Sequence, residues 1–246
     1  MKNLFLFLFL LVVFTSKAQD NRVSGLNSRQ FTKYWKVESE SPDYKVTFQG
    51  DTAEIVSPKG LTLWRKEKMS GKVTIEYDAC VVVESDGDRL SDLNCFWMAS
   101  DPQYPDNLWK REKWRSGIFL NCYSLQLYYL GYGGNHNSTT RFRRYDGDES
   151  GITNPKARPA ILKEYTDAGH LLKPNHWYHI KITNENNRVS YYIDGERLVD
   201  FRDAEPLREG WFGFRTTLSR TRITNFSYEC SSQEAAAVPL QWIGET

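Results

Sequence analysis

Three arginines and a tyrosine lie close together near the middle of the chain, in the run RFRRY that ends at Tyr145. If residues 139–145 form a strand, Arg141, Arg143 and Tyr145 project from one face, while Phe142 enters a core on the other. A guanidinium is a planar fork of N–H donors that matches a carboxylate, so this cluster favours an anionic or polyhydroxylated ligand. The alternative is an exposed hairpin with a solvated basic face.

A strand and a glycine-rich turn precede these arginines, in the sequence LQLYYLGYGGNHNS. Alternation predicts that Tyr128 and Tyr132 share one face of the strand and that Leu127 and Tyr129 share the other. The turn is rich in glycine and asparagine, which tolerate positive φ. Within it, His136 is either a base for proton transfer or a solvent-exposed turn histidine.

Short alternating segments separated by turn signals continue along most of the chain, and they predict the elements that would hold this cluster. Closely and evenly spaced strands predict an all-β fold, a two-sheet antiparallel sandwich with few helices. The predicted strands are residues 34–38, 44–49, 52–57, 61–64, 73–83, 94–100, 117–122, 125–132, 139–145, 177–184, 188–193, 196–201, 209–216 and 222–228. The predicted core includes four aromatic residues: Trp177, Phe212, Phe214 and Phe226.

Two longer segments between these strands are predicted to be irregular. Residues 101–115 carry two prolines and two tryptophans and are expected to lie beside a binding cleft. Residues 146–170 form the longest polar segment, and loops of this length are usually functional or mobile. We therefore expect residues 146–170 to be able to act as a lid.

The start of the chain has the pattern of a bacterial secretory signal peptide, with Lys2, an apolar run and the small-residue end Ser16-Lys17-Ala18. We therefore expect a signal peptide (1–18), a single β-sandwich domain (19–230) and a C-terminal tail (231–246), in a secreted or periplasmic protein. The formal net charge of +1 gives no reason to expect nucleic-acid or membrane binding, whereas the 14% aromatic content suits stacking on sugar rings. We expect a monomer that binds polysaccharide or oligosaccharide, with no membrane anchor and no cofactor.

The cysteines could form disulfides, and a cluster of aspartates could bind a metal ion. The chain has four cysteines: Cys80, Cys95, Cys122 and Cys230. An exported protein with four cysteines has three possible pairings, although Cys95 and Cys122 lie in apolar patterns typical of buried free cysteine. No cysteine–histidine spacing predicts zinc. The aspartates of residues 86–92 either form a polar turn or provide oxygen ligands for a structural calcium: Asp86, Asp88 and Asp92.

Three later segments carry a resemblance to a known fold: HWYHIKIT, RVSYYIDGERLVDF and GWFGFRT. They resemble the final strands of the concanavalin A-like lectin/glucanase jelly rolls, which implies a jelly roll with a ligand groove across one sheet. The stretch YYLGYGGNHNSTTRFRRY also resembles an uncharacterised family of secreted proteins from polysaccharide-degrading bacteria. Because this fold hosts lectins, glycosidases and lyases, the resemblance does not define the function.

The implied groove and the strand alternation together give the predicted site. Residues expected on the groove side are Tyr128, Tyr132, Arg141, Arg143, Tyr145 and Arg215. Asn135 and Asn137 are expected on its rim. Trp97 is a candidate sugar platform, but Asn94 and Trp97 cannot share a face, so one of them belongs to the core or the rim.

Our first hypothesis for the chemistry is a β-eliminating polysaccharide lyase, since several jelly-roll lyases resemble this arrangement. Such an enzyme must neutralise a uronate carboxylate, remove the C5 proton and protonate the leaving oxygen. Arg141 and Arg143 are assigned to the carboxylate, with Asn135 assisting. The candidates for proton transfer are Tyr132, Tyr145 and His136.

Two other functions stay open. The glycosidases of this superfamily carry a GlxDxxE pattern that places two carboxylates for retention, and this chain lacks it. A glycoside hydrolase would therefore need non-standard carboxylates, with candidates Asp92, Asp101, Asp146 and Asp148. A non-catalytic carbohydrate-binding module would need aromatic platforms instead, for which the candidates are Tyr128, Tyr132, Trp97 and Trp109.

Overall fold

A computed structural model describes residues 22–231 of the chain. Within them, two antiparallel sheets of eight strands each pack face to face as a sandwich. The predicted all-β two-sheet fold is therefore confirmed. The predicted signal peptide and residues 232–246 of the predicted tail lie outside the described residues.

The strands are β1 (Val23–Ser24), β2 (Trp35–Ser39), β3 (Lys45–Gln49), β4 (Thr52–Ser57), β5 (Leu61–Arg65), β6 (Met69–Ser70), β7 (Lys72–Val81), β8 (Leu93–Ser100), β9 (Gln126–Gly133), β10 (Thr139–Asp146), β11 (Lys163–Tyr165), β12 (Tyr178–Glu185), β13 (Arg188–Ile193), β14 (Glu196–Arg202), β15 (Glu209–Thr216) and β16 (Ser219–Ser231). The helical turns are α1 (Phe31–Tyr34), α2 (Glu112–Arg115), α3 (Gly134–Asn137) and α4 (Ser150–Thr153). Short 3₁₀ turns occupy Leu108–Arg111, Leu120–Ser124, Pro155–Ala157 and Ala168–His170.

The order of strands shows which residues share a surface. The first sheet runs β14-β13-β12-β7-β16-β4-β3, with β1 paired to β16. The second sheet runs β11-β10-β9-β8-β15-β5-β2, with β6 paired to β15. Strands β8, β9, β10 and β15, which hold most of the predicted site residues, are therefore neighbours in the second sheet.

The main core lies between the sheets and follows from strand alternation. Along β7 the residues at every second position, from Val73 through Tyr77, are buried against the second sheet. Phe212 and Phe214 of β15 pack edge to face with ring centroids 4.8 Å apart, and both contact Phe226 of β16. The predicted core positions of Phe212, Phe214 and Phe226 are confirmed.

Two local predictions are wrong. Residues 117–122 do not form a strand, because Ser116 and Gly117 adopt positive φ and turn the chain into the 3₁₀ turn Leu120–Ser124. Trp177 is not a core residue and is 42% exposed. Strand β12 begins one residue later, so Tyr178 takes the inward position that the alternation requires.

A second apolar cluster covers part of the outer face of the second sheet. Segment 101–125 folds over this face and buries side chains such as Leu108, Cys122 and Tyr123 against Trp64 and Phe96 of the sheet. The other long segment, residues 146–170, adds α4 and pairs β11 with β10 at the sheet edge. Together these segments leave only part of the outer face open.

A buried ion network fastens segment 101–125 to the sheet. Arg115 is fully buried, and its Nε and Nη2 atoms donate to the carboxylate of Glu38 on β2, at 3.3 and 3.0 Å. Its Nη1 atom lies 3.7 Å from Asp101, which also accepts two hydrogen bonds from Arg111. Arg111 in turn contacts Glu149 at the start of α4. The network therefore joins β2, segment 101–125 and α4.

Cysteines and aspartates have structural explanations in the described residues. All four cysteines are free, so none of the three possible pairings is present, and Cys95 and Cys122 are buried as their apolar surroundings predicted. Asp88 accepts backbone hydrogen bonds within its own turn, while Asp92 pairs with Arg89. Residues 22–231 contain no cluster of three metal-ligating side chains and no helix suited to crossing a membrane.

We predict that Arg115→Met lowers the free energy of unfolding by about 3–5 kcal/mol, because it leaves buried carboxylates without their counter-charge. Urea denaturation measures the loss, with Arg202→Met on the exposed β14 as the matched control, expected to stay within about 0.5 kcal/mol of wild type. A loss below about 1 kcal/mol for Arg115→Met would show that the network does not hold the segment.

Candidate functional site

An open cleft of about 710 Å³ occupies the uncovered part of the second sheet's outer face. Its floor comes from β8, β9, β10 and β15, and its walls come from residues near Gly117 on one side and near Pro159 on the other. Five arginines and two carboxylates line it, so the surface is net positive. A cleft of this size suits a ligand of several rings.

One row of paired residues crosses the floor of the cleft. Arg215 of β15 pairs with Asn94 of β8, Asn94 pairs with Gly131 of β9, and Gly131 pairs with Arg141 of β10. Because all four occupy the same face, the row presents guanidinium, amide, bare backbone and guanidinium in turn. Asn94 Nδ2 donates to Asp92 at 3.3 Å, whereas its buried Oδ1 has no partner in the described protein.

The next row is aromatic, and one member bends into the cleft. Phe96 of β8, Tyr129 of β9 and Arg143 of β10 are paired in register. Tyr129 leans over Gly131, so that a Cβ atom on Gly131 would lie 2.3 Å from the Tyr129 hydroxyl oxygen. Gly131 has no positive φ, so glycine is required here for space rather than for backbone conformation.

The electrostatic surroundings of Tyr129 keep its hydroxyl protonated. Burial raises the pKa of Tyr129, and the carboxylate of Asp92 raises it further. Arg215 and Arg143 act in the opposite direction without overcoming burial. A phenol flanked by two guanidiniums and kept neutral is suited to donating a proton.

Three of the arginines form no ion pair within residues 22–231, and we call them the unpaired arginines: Arg143, Arg158 and Arg215. Arg143 donates to the carbonyl of Pro159, and Arg158 donates to the carbonyl of Gly151 at 3.3 Å. Arg215 is only 3% exposed and donates to the carbonyl of Gly117 at 2.5 Å and to Thr62 at 3.4 Å. Neutral acceptors position these cations without neutralising them.

The other two cleft arginines are already paired. Arg141 Nε donates to Glu164 of β11 at 2.5 Å. Arg89 lies 3.0 Å from Asp92 and donates to the carbonyl of Thr217. An anionic ligand would therefore meet the unpaired arginines before it had to displace a protein carboxylate.

A left-handed turn forms one rim of the cleft. Asn135, His136 and Asn137 all have φ between 51° and 58°, a conformation that costs energy for residues other than glycine. Asn137 secures the turn by bonding both the backbone N–H and the carbonyl of Leu172, at 2.8 and 2.9 Å. Asn135 and His136 line the cleft, whereas Asn137 does not.

Three predicted groove residues face the wrong way. Tyr128, Tyr132 and Trp97 are buried between the sheets, so their predicted groove-side positions are wrong. The Tyr128 hydroxyl donates to Asp203 at 2.6 Å, and the Tyr132 hydroxyl contacts the carbonyl of Leu171 at 3.3 Å. Asn94 and Trp97 of β8 were expected to face opposite ways. Trp97 is therefore the core residue and Asn94 is the cleft residue.

Tyr145 has the predicted orientation but no access to the cleft. It projects from the same face of β10 as Arg143 yet is fully buried beneath Tyr123 and beside Tyr129. Its hydroxyl has no hydrogen-bond partner in the described residues, and burial raises its pKa strongly. Trp109 is likewise unavailable as a sugar platform, since it packs against Trp211 in the covered part of the face.

Three of the four carboxylates proposed for a hydrolase lie outside the cleft. Asp101 is fully buried in the Arg115 network, and Asp146 and Asp148 bond to backbone N–H groups in their own loop. Only Asp92 of the four lines the cleft, where it is accompanied by Glu40. Glu40 lies beside Gly60 on the same wall as the guanidinium of Arg215.

Alternation alone did not reveal Tyr129, Gly131, Arg158 and Glu40 as cleft residues. The alternation of β9 correctly separated Tyr129 from Tyr128, but nothing in the sequence indicated that Tyr129 is the one on the cleft side. One signal was available in the sequence. Gly131 lies two residues after Tyr129 and so on the same face of the strand, where the absence of a side chain leaves room beside Tyr129. Arg158 and Glu40 reach the cleft from loops, whose positions no strand pattern reports.

Comparison with solved structures first defines the fold class, an antiparallel two-sheet sandwich that is similar to the galectin-like fold. A protein of unknown function with a galectin-like fold from Bacillus subtilis matches with a TM-score of 0.67 and 15% identity, covering 86% of this chain and 96% of that one. The VIP36 exoplasmic/lumenal domain in its Ca²⁺/Man3GlcNAc-bound form has a TM-score of 0.57 and 9% identity, covering 88% and 91%. The carbohydrate-binding module CBM66 from Bacillus subtilis has a TM-score of 0.52 and 15% identity, covering 79% and 94%. At such identities the likeness establishes the jelly-roll fold alone.

The family follows from the sequence itself. The chain belongs to the family described as Domain of unknown function (DUF6250), whose model matches residues 55–226. The chain matches none of the curated proteins with which it was compared. The family segment extends from β4 into β16 and so includes the four strands that form the cleft floor.

We predict that Gly131→Ala lowers the free energy of unfolding by about 1–3 kcal/mol, because the added methyl group overlaps the Tyr129 hydroxyl. A double-mutant cycle with Tyr129→Ala measures the coupling, and Gly131→Ala should cost almost nothing once Tyr129 is truncated. The control is Gly87→Ala, where an added Cβ meets no atom within 4 Å. Equal costs of Gly131→Ala in both backgrounds would contradict the geometry of the cleft.

Proposed function

We propose that the protein binds an acidic polysaccharide in the cleft and cleaves it by β-elimination at a uronate residue. The observation that carries the proposal is that two of the unpaired arginines, Arg143 and Arg215, act on the Tyr129 hydroxyl. Guanidiniums without a protein carboxylate provide binding energy for an anionic ligand, and the hydroxyl lies where a proton can be delivered.

The choice of a carbohydrate rests on the shape of the floor and on the fold. Asn94 and the Tyr129 side chain, which leans over Gly131, form a shallow, uncharged floor that a polyhydroxylated ring can contact. Among the structurally similar proteins are the carbohydrate-binding module CBM66 and the VIP36 exoplasmic/lumenal domain in its Man3GlcNAc-bound form. We further propose that the protein acts outside the cytoplasm, on the strength of the leader pattern in residues 1–18.

The proposed reaction uses the cleft residues in three roles. Arg143 binds the uronate carboxylate and, with Asn94 or Asn135, stabilises negative charge that develops when the C5 proton leaves. His136 on the rim accepts that proton, and the electron pair forms the C4–C5 double bond as the C4–O bond breaks. Tyr129, protonated through the neutral range because burial raises its pKa, gives its proton to the leaving oxygen.

A second candidate function is a glycoside hydrolase that uses Glu40 and Asp92. The observation in its favour is that these two carboxylates line the same cleft. Such an enzyme needs one carboxyl group as acid and the other as base or nucleophile on opposite sides of the scissile bond. Asp92 is less suited to either role, because it is buried and lies 3.0 Å from Arg89.

The first test is to incubate the protein with a panel of uronate-containing polysaccharides and measure two products. A lyase generates an unsaturated uronate, seen by its ultraviolet absorbance, together with new reducing ends. New reducing ends without the absorbance would contradict β-elimination and favour the hydrolase. Binding of a polysaccharide without either product would contradict catalysis and favour a non-catalytic carbohydrate-binding module.

We predict that Arg143→Gln weakens binding of an acidic oligosaccharide by about 10- to 100-fold, because a hydrogen bond to a charged group contributes about 1.5–3 kcal/mol. Isothermal titration calorimetry measures the dissociation constant. Arg197→Gln, on β14 of the other sheet, is the matched control and should bind like wild type. Unchanged affinity in Arg143→Gln with an intact fold would remove Arg143 from the site.

We predict that Tyr129→Phe reduces kcat by about 10²- to 10⁴-fold while the dissociation constant stays within about threefold, because only the transferable proton is lost. Tyr192→Phe, a half-buried tyrosine of β13 in the first sheet, serves as control. Full activity of Tyr129→Phe would exclude Tyr129 as the acid and would turn attention to His136.

A further inference from the structure

The unpaired arginines lie on opposite sides of the cleft floor. Arg143 belongs to β10 and Arg215 belongs to β15, and two strands, β9 and β8, lie between them. Because neighbouring strands are about 4.8 Å apart, the two backbones are separated by roughly 14 Å. Arg158 reaches the cleft from segment 146–170, which lies on the β10 side.

The hydrogen bonds of these arginines hold their guanidiniums on opposite walls. Arg143 bonds to Pro159, and Arg158 bonds to Gly151, both in the segment that flanks β10. Arg215 bonds to Gly117, which lies against Ser39 and Gly60 near the other edge of the sheet. The cations are therefore fixed away from each other rather than converging on one point.

The surface between the two walls is mostly uncharged or aromatic, and the carboxylate beside it, Asp92, is paired with Arg89. Asn94 and Gly131 form the floor, and the ring of Phe119 contacts the rings of both Tyr123 and Tyr129 at centroid distances of 6.0 and 5.6 Å. This aromatic group has a cation at each end: the Arg215 Cζ lies 5.6 Å from the Phe119 ring and the Arg158 Cζ lies 5.9 Å from the Tyr123 ring. Positive, neutral and positive zones thus follow one another across the strands.

From this pattern we infer that the cleft binds a glycan carrying anionic groups on at least two of its sugar units. One anionic group contacts Arg143 and Arg158, a second contacts Arg215, and the intervening sugar lies over Asn94 and Tyr129. The chain of sugars runs across the strands. The inference rests on the proposed function, to which it adds the charge pattern of the substrate.

The burial of Arg215 favours a second anionic group. A cation that is 3% exposed and whose hydrogen-bond acceptors are neutral gains from a direct ion pair with a ligand. Glu40 borders the same glycine and Glu38 interacts with Arg215 electrostatically, but neither forms a direct ion pair with it. A single carboxylate held at Arg143 and Arg158 would leave Arg215 without a direct ion pair on the far wall.

The test compares wild-type affinity for tetrasaccharides that differ only in charge. The probes are tetramers of galacturonate and of mannuronate, each with four free carboxylates or with three of the four methyl-esterified, titrated at constant ionic strength. We expect the fully charged tetramer of the preferred sugar to bind more than tenfold tighter than its single-carboxylate form. This difference exceeds the few-fold statistical gain from having more carboxylates.

Arg215→Gln removes the cation of the second anionic group, and we expect it to bring the affinity ratio between the two forms down at least fivefold. Arg158→Gln, which changes an exposed residue and should not disturb folding, is expected to weaken both forms alike and to leave the ratio unchanged, as does the control Arg197→Gln. Equal affinity of wild type for both forms would overturn the inference and leave the proposed function standing. Failure of every tetramer to bind would overturn both.

Discussion

The buried contact between Arg115 and Glu38 determines how much of the second sheet is available for binding. It holds segment 101–125 over the apolar part of the outer face, and Asp101 and Arg111 extend the connection to α4. Charged groups removed from water are stable only when paired, so the segment has little freedom to lift away. The uncovered remainder of the face becomes a cleft of fixed extent rather than a broad exposed sheet.

Within that cleft, the proposed function depends on two adjacent rows of the sheet that differ in chemistry. The polar row through Asn94, Gly131 and Arg141 provides donors and open backbone, and the aromatic row contributes Tyr129. Register places Tyr129 beside Arg143, and the missing side chain at Gly131 lets the phenol lean into the cleft. A cluster that combines fixed cations with a protonated phenol is thus a consequence of strand pairing rather than of any contiguous motif.

The sequence predicted the sandwich and most of its strands because alternation and turn residues are local signals. It also predicted that Arg141, Arg143 and Arg215 share a face, and the paired row from β10 through β9 and β8 to β15 has this arrangement. It assigned the wrong tyrosines of β9 to the groove, since alternation separates two faces but does not say which faces the other sheet. Contributions from loops, such as Arg158, depend on tertiary packing over long sequence distances and left no local pattern.

A crystal structure of the protein with an acidic tetrasaccharide tests the central claim most directly. The account predicts sugar over Asn94 and Tyr129, with anionic groups at Arg143 and at Arg215 and the Tyr129 hydroxyl within hydrogen-bond distance of a glycosidic oxygen. Sugar bound elsewhere, for example on the exposed face of β12 and β13 with the cleft left free of ligand, would contradict it.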